Sequence, residues 1–255
     1  MSLFNSIIFG PIKSRRLGVS LGVNLMPETG KVCSFDCIYC ECGYNKDNKG
    51  GKIPSKETIE KEMFDKFKQL HDEKKHIDVI TFAGNGEPTL HPDFGEIIDY
   101  TIECRDKFLP EAKISVLSNS TKIDKDSVFN ALKKVDNNIL KLDSVFNETV
   151  NIIDKPVNEN FDINKTIDLL CKFDGNLIIQ TMFLRGEHNG IKIDNTVEKE
   201  VSAWIDALKR IKPKQVMISS LDRPTPEKNL VKVEREELER IAERVRKEGF
   251  DVTVA

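Results

Sequence analysis

From residue 55 onward, apolar positions along this chain switch between helical spacing and short continuous runs. Ile59, Met63, Phe67 and Leu70 recur every three or four residues, which places them on one face of a helix that Ser55 can cap. The run "HIDVITFAG" then predicts a buried strand, a short apolar stretch ending in glycine. The two patterns continue in turn: helix in "DFGEIIDYTIECRDKF", strand in "KISVLSNS", helix in "DKDSVFNALKKV", strand in "NILKLDS". A helix in "NKTIDLLCKF" and a longer strand in "NLIIQTMFLRG" follow. Asn195 with Glu198 makes a capping box for a helix that turns Val197, Val201, Trp204, Leu208 and Ile211 inward. "QVMISSLD" predicts another strand. The helix "EREELERIAERVRKEG" carries Leu238, Ile241 and Val245, pairs Glu236 with Arg240 and stops at Gly249. "FDVTVA" predicts a last short strand, and "VSLGVNLMP" one ahead of all the others.

Such alternation means parallel strands joined by right-handed crossovers, an α/β fold. Six or seven units are too few for a full eight-stranded barrel, which leaves a partial, open barrel or a doubly wound sheet. Either arrangement puts ligands at the C-terminal ends of the strands. Polar residues and glycines gather there: "AGNGEPTLHP" after one strand, Ser118, Asn119 and Ser120 after the next, then Asp143 and Ser144. Gln180, Arg185 and Gly186 belong to the fifth strand, and "SSLDRP" closes the sixth. Their agreement across successive strands predicts a shared cavity. No repeat, low-complexity tract or linker divides the chain, so one domain over residues 1–255 is expected.

Composition narrows the class. Charged residues make up 32% of the chain and hydrophobic ones 39%, as in a globular protein. No apolar run approaches the roughly 20 residues of a membrane helix. The opening stretch has its basic residues after its apolar ones, the reverse of a secretory signal, so a cytoplasmic location without stable disulfides is expected. The net charge of −3 argues against broad nucleic-acid binding. Lys13, Arg15 and Arg16 form one small basic cluster, either a solvated turn or a substrate contact.

Four of the six cysteines crowd into "KVCSFDCIYCECGYN". Zinc usually wants two ligand pairs, and no compact second Cys/His pair follows. Cys104 and Cys171 fall at inward helical positions and read as small buried hydrophobes. Cys33-x₃-Cys37-x₂-Cys40 supplies three thiolates, one fewer than a four-iron cluster takes, so one iron would stay open for a substrate or cofactor.

That spacing, with Tyr39 inside it, resembles the cluster motif of the radical S-adenosylmethionine superfamily. The resemblance implies a partial (β/α)6-type open barrel of parallel strands, with a cluster loop at about 33–45. It implies a [4Fe-4S] cluster on Cys33, Cys37 and Cys40 that reductively cleaves S-adenosylmethionine to a 5′-deoxyadenosyl radical, which abstracts hydrogen from a substrate. Asn85-Gly86-Glu87-Pro88 stands where the superfamily has "GGE", with asparagine in place of the first glycine. Glu87 would then meet the amino group of bound methionine, and Gly86 would allow close backbone approach. Tyr39 would lie near the adenine, Ser118, Asn119 and Asp143 near the ribose, and Arg185 against the methionine carboxylate; Gln180 would line the same cofactor site. A flavodoxin- or ferredoxin-type electron donor is implied.

"FGPIKSRRLGVSLGVNLMP", "TFAGNGEPTLHPDF" and "LDRPTPEKNL" look like stand-alone members related to the wyosine-forming tRNA enzyme. That enzyme has additional upstream cysteines, and none precedes Cys33 here. The substrate stays open among small molecules, nucleosides and tRNA, with Arg15, Arg16, Asp222 and Arg223 as lining candidates. A glycyl-radical activase acting on a protein, and a non-catalytic metal scaffold, are the alternative readings. Cys42 is either a spare ligand, a redox thiol or a substrate contact, or a cysteine that merely fits its loop.

Overall fold

In the computed structural model, residues 3–14, 17–47 and 49–255 are described; Arg15 and Arg16 of the basic cluster lie outside them. In chain order the elements are β1 (Ile8–Ser14), β2 (Gly18–Val23), α1 (Lys56–Asp72), β3 (Val79–Phe82), α2 (Phe94–Phe108), β4 (Lys113–Ser118) and α3 (Asp126–Lys134). There follow β5 (Asn137–Lys141), α4 (Asn147–Ile153), α5 (Ile163–Cys171), β6 (Ile178–Met182), β7 (Leu184–His188) and β8 (Ile191–Asp194). The last are α6 (Glu198–Ile211), β9 (Gln215–Ser219), β10 (Leu230–Lys232), α7 (Arg235–Lys247) and β11 (Val252–Val254).

Eight strands form one sheet in the order β1-β2-β3-β4-β5-β6-β9-β11. All neighbours pair in parallel except β1, which runs antiparallel along the edge of β2. The sheet is curled into a half-barrel, the partial (β/α) barrel expected. Alternation along each strand sorts the side chains. Leu21, Ile80, Val116, Leu140, Ile179 and Val216 face the helices and join the main core with Ile59, Phe67, Ile97 and Trp204. The concave face carries a smaller apolar floor of Ile139, Ile178 and Met217, with Leu17 and Leu117 against it. Lys141, Gln180 and Met217 are level with one another across β5, β6 and β9.

Ser55 caps α1 as expected, its hydroxyl accepting from the Thr58 amide. Two expectations are corrected. "NLIIQTMFLRG" is not one strand: β6 ends at Met182, and β7 belongs to a separate antiparallel sheet ordered β10-β7-β8. Asn195 does not cap α6, whose cap position is Val197 without a side-chain hydrogen bond. Its buried amide instead donates to the carbonyls of Asp143 (2.9 Å) and Met182 (2.8 Å) and accepts from the Leu184 amide (2.9 Å). Asn195 therefore fixes the break that turns β7 out of the barrel.

Candidate functional site

The cysteine loop is docked at both of its ends. Val32 bridges Gly86, with the Val32 amide donating to Asn85 O and the Glu87 amide to Val32 O, each at 3.0 Å. A Cβ on Gly86, where φ is +139°, would lie 1.8 Å from the Val32 carbonyl oxygen. Glycine is required there for the loop to reach the end of β3. On the far side, the Asp36 and Ile38 amides donate to the carbonyls of Asp154 and Ile153 at the end of α4. Asn45 closes the loop, its amide donating to Asp36 Oδ1 at 2.7 Å.

Asn85, standing where the superfamily has glycine, turns its side chain away from this loop. It is fully buried and clasps both backbone groups of Phe4 and the Pro27 carbonyl. The departure from the motif thus ties the N-terminal segment to β3.

Glu87 is buried against the start of the next loop. Its Oε1 accepts from the Thr89 amide (3.1 Å), the Thr89 hydroxyl (2.5 Å) and the Ser118 hydroxyl (2.8 Å), and Oε2 from the Asn119 amide (2.7 Å). Burial pushes its pKa up, against the hydrogen bonds that favour the carboxylate. Expected to meet a methionine amino group, the carboxylate is already engaged by protein donors and sets the positions of Ser118 and Asn119. The Asn119 side-chain Nδ2 in turn reaches the Cys33 sulfur, 3.6 Å away.

Tyr39 and Asp143 also come together. The Tyr39 hydroxyl donates to Asp143 Oδ2, and Oδ1 of the same carboxylate accepts from the Met182 amide at 2.9 Å. Lys141 joins them, its ammonium 3.1 Å from Asp143 and 3.7 Å from Asp154 and stacked over the Tyr39 ring at 4.7 Å. The Cys37 thiol donates to Asp154 at 3.4 Å. Burial and the Asp143 charge push the Asp154 carboxyl up to about 8.

All four cysteines of the loop are free thiols. Burial raises the Cys33 thiol to about 12 and holds Cys37 above its ordinary value too. Cys40 goes the other way, to about 6, through a hydrogen bond from Cys42 and the charge of Lys31. Cys42 is set beside Cys40, with its own sulfur 3.5 Å from Gly84 O. Among the described residues no three His, Cys, Asp or Glu side chains close around one metal-ion position.

The sequence profile of the Radical SAM superfamily matches residues 28–190. The chain belongs to the radical SAM superfamily. It is an enzyme of the radical SAM type, a superfamily that implies an iron–sulfur cluster and S-adenosylmethionine. It is 33% identical over 224 residues to a UPF0026 protein of Helicobacter pylori (strain J99), spanning 86% of this chain and 67% of that one. Its fold matches Streptococcus suis SuiB bound to S-adenosylmethionine with a TM-score of 0.65 at 13% identity, over 92% of this chain and 50% of SuiB. It also matches TYW1 with a lysine-pyruvate adduct bound, with a TM-score of 0.60 at 16% identity, over 89% of this chain and 73% of TYW1. This chain therefore spans about two thirds of the first relative and half of SuiB. Among the described residues no helix is long and apolar enough to cross a membrane.

Within this radical SAM fold, the predicted residues divide. Cys33, Cys37, Cys40, Tyr39, Gly86, Glu87, Ser118, Asn119 and Asp143 surround the cysteine loop, and Gln180 lies level with Lys141. Arg185 does not join them. It lies in β7, where Glu237 (2.5 Å), Asp194 (3.3 Å) and Thr196 (2.5 Å) occupy its guanidinium. Asp222 and Arg223 pair with Lys232 and Glu41. Lys31, Lys141 and Asp154 were missed. A lysine at an inward position of the apolar run "NILKLDS" is a signal that could have found Lys141, because a buried lysine needs partners.

Proposed function

We propose that this protein is a radical SAM enzyme whose Cys33, Cys37 and Cys40 hold a [4Fe-4S] cluster with one iron left for S-adenosylmethionine. The observation that carries the reading is the loop itself. It presents three free thiols between two docked ends, with a buried ammonium, Lys31, among them. Burial keeps two of those thiols protonated until a cation takes their place, the usual coupling of metal binding to proton release. When bound, the cluster supplies the electron that cleaves S-adenosylmethionine to methionine and a 5′-deoxyadenosyl radical, which takes a hydrogen atom from the substrate.

The protein's own residues hold and shield that site. Glu87 fixes Ser118 and Asn119 at the wall on one side. Tyr39, Asp143 and Lys141 form the wall on the other, and the apolar floor of Ile139, Ile178 and Met217 closes the barrel beneath. Because a single sheet runs from β1 near the start to β11 near the end, the whole chain is taken as one radical SAM domain. The electron comes from a flavodoxin- or ferredoxin-type donor, and the substrate is a small molecule, a nucleoside or tRNA.

Anaerobic reconstitution tests the reading. The wild type should take up about four irons per chain, and the Cys33→Ala/Cys37→Ala/Cys40→Ala variant none. The loaded, reduced wild type should release 5′-deoxyadenosine from S-adenosylmethionine. A triple variant that keeps its cluster would sink the ligand assignment. Comparing metabolites and tRNA nucleosides from cells with and without the gene would then identify the substrate class.

A further inference from the structure

Lys31 lies two residues before the first cysteine, and its side chain is only 1% exposed. An ammonium has three donors, and burying one without matching acceptors costs several kcal/mol. Among the described residues the close oxygen acceptor of Nζ is the Gly43 carbonyl at 2.6 Å. The nearest carboxylate oxygen, Asp36 Oδ1, stands at 3.6 Å and already accepts the Asn45 amide at 2.7 Å. Among the described residues, this buried cation therefore has no carboxylate in direct contact.

Its reach shows where a balancing charge belongs. The side chain starts two residues ahead of Cys33 and ends on the carbonyl just after Cys42, so its two ends bracket the turn that carries the three candidate ligands. The backbone of the same turn is tied by Cys40 N to Cys37 O (3.1 Å) and Gly43 N to Cys40 O (2.9 Å). Of the three cysteines, Cys40 is within hydrogen-bonding reach of the ammonium, whose charge helps hold that thiol below its ordinary value. Three thiolates around an iron–sulfur core carry net negative charge, and reduction by one electron adds to it.

We propose that Lys31 is a positioning residue whose buried positive charge balances the cluster held by Cys33, Cys37 and Cys40 and favours its reduced state. The proposal rests on the ligand assignment above. A cation fixed at this depth interacts with a neighbouring charge far more strongly than one in water does. It therefore raises the midpoint potential, which makes the electron from the donor easier to accept. The same contact with Gly43 O holds the loop in its docked shape. Charge and clasp are separable, because arginine keeps the first and alters the second.

The test is an anaerobic redox titration followed by electron paramagnetic resonance, on reconstituted wild type, Lys31→Met, Lys31→Gln and Lys31→Arg. With matched iron content, Lys31→Met should favour the oxidised cluster at least tenfold more than wild type does, a shift of ~59 mV to more negative potential for one electron. Lys31→Arg should stay within a few-fold of wild type. Lys31→Gln, which keeps a donor for Gly43 O but loses the charge, separates charge from clasp: a potential shifted as in Lys31→Met supports the proposal, and a wild-type potential overturns it. Wild-type potential in a fully loaded Lys31→Met, or loss of the cluster in Lys31→Met and Lys31→Arg alike, overturns the proposal. Failure of the ligand assignment reads differently, because the wild type itself would then not load.

Discussion

The Asn119 side chain aims an N–H at the Cys33 sulfur across 3.6 Å, and the surrounding bonds leave the amide no other orientation. Its oxygen accepts from the Thr121 amide (3.1 Å) and hydroxyl (2.8 Å), so the nitrogen must face Ser34 and Cys33. A backbone N–H cannot reverse its role as donor, which settles the flip. A hydrogen bond to a charged acceptor contributes about 1.5–3 kcal/mol.

Asn119→Ala should therefore loosen the hold on a bound cluster. Iron loss to a chelator should run roughly tenfold faster than in wild type, each ~1.4 kcal/mol being a factor of ten. Asn119→Asp, which sets a carboxylate against the sulfur, should lose iron faster still. Equal rates in all three proteins would remove Asn119 from any role at Cys33.

Glu87 makes a different prediction from the one its motif suggests. Glu87→Gln places an NH₂ against donors that now share a carboxylate, leaving buried groups unmatched at a cost of about 1–3 kcal/mol. The metal-free protein should melt several degrees lower, at roughly 2–4 °C per kcal/mol for a chain of this size. The pH dependence has a definite sign. Burial raises the folded pKa above its ordinary 4.5, so the folded state holds the proton more tightly than the unfolded chain. This group's contribution to stability therefore falls as pH rises from about 4.5 toward the folded pKa. Glu87→Gln should lack that part of the slope in urea titrations across this range.

Lys141 joins Asp143 and Asp154 in a buried network, and removing the cation strands two acids. Lys141→Met should destabilise the metal-free protein by about 3–5 kcal/mol, the usual cost of breaking a buried ion pair from one side. Asp154, pushed up to about 8, carries its charge only in alkaline solution, so any relief from neutralising it should appear in measurements above that pH. Lys141→Met/Asp154→Asn should thus recover part of the loss in chemical denaturation there. A double variant no more stable than the single one at that pH would show that Asp154 carries no charge stress.

The barrel was legible because each helix bears one apolar stripe and each inner strand a short apolar run. The cysteine spacing was legible because it is local. What the sequence hid depends on contacts between distant segments. Phe183 continues the apolar run of β6, so nothing local marks the break into β7; the break is made by Asn195, twelve residues on. Asn195 and Glu198 have the spacing of a capping box, yet the asparagine is drawn into the core by three backbone partners. Arg185 read as a free guanidinium because Asp194 and Glu237 come to it from β8 and α7. Glu87 stands out in its motif, but the four bonds it accepts come from the Thr89 and Ser118–Asn119 segments after folding.

The segment between β9 and β10 lies across the cysteine loop and supplies the last prediction. The Glu227 amide donates to Ile38 O at 3.3 Å, and Arg223 pairs with Glu41 at 2.6 Å. His188 Nδ1 holds the Glu227 carboxylate at 2.6 Å and so ties the segment to the small sheet. That hydrogen bond lowers the Glu227 pKa below its ordinary 4.5. A depressed carboxylate favours the folded contact above its unfolded pKa and loses that effect as pH falls through the folded one. At pH 7, Glu227→Ala should speed amide exchange several-fold in residues 223–229 and at Ile38–Cys42, through local opening that leaves the barrel protected. The difference from wild type should begin to shrink as pH falls below 4.5 and vanish once pH is below the depressed folded pKa, where both proteins lack the charged contact. Unchanged exchange at Ile38–Cys42 in the variant would mean that the segment merely rests on the loop and does not hold it.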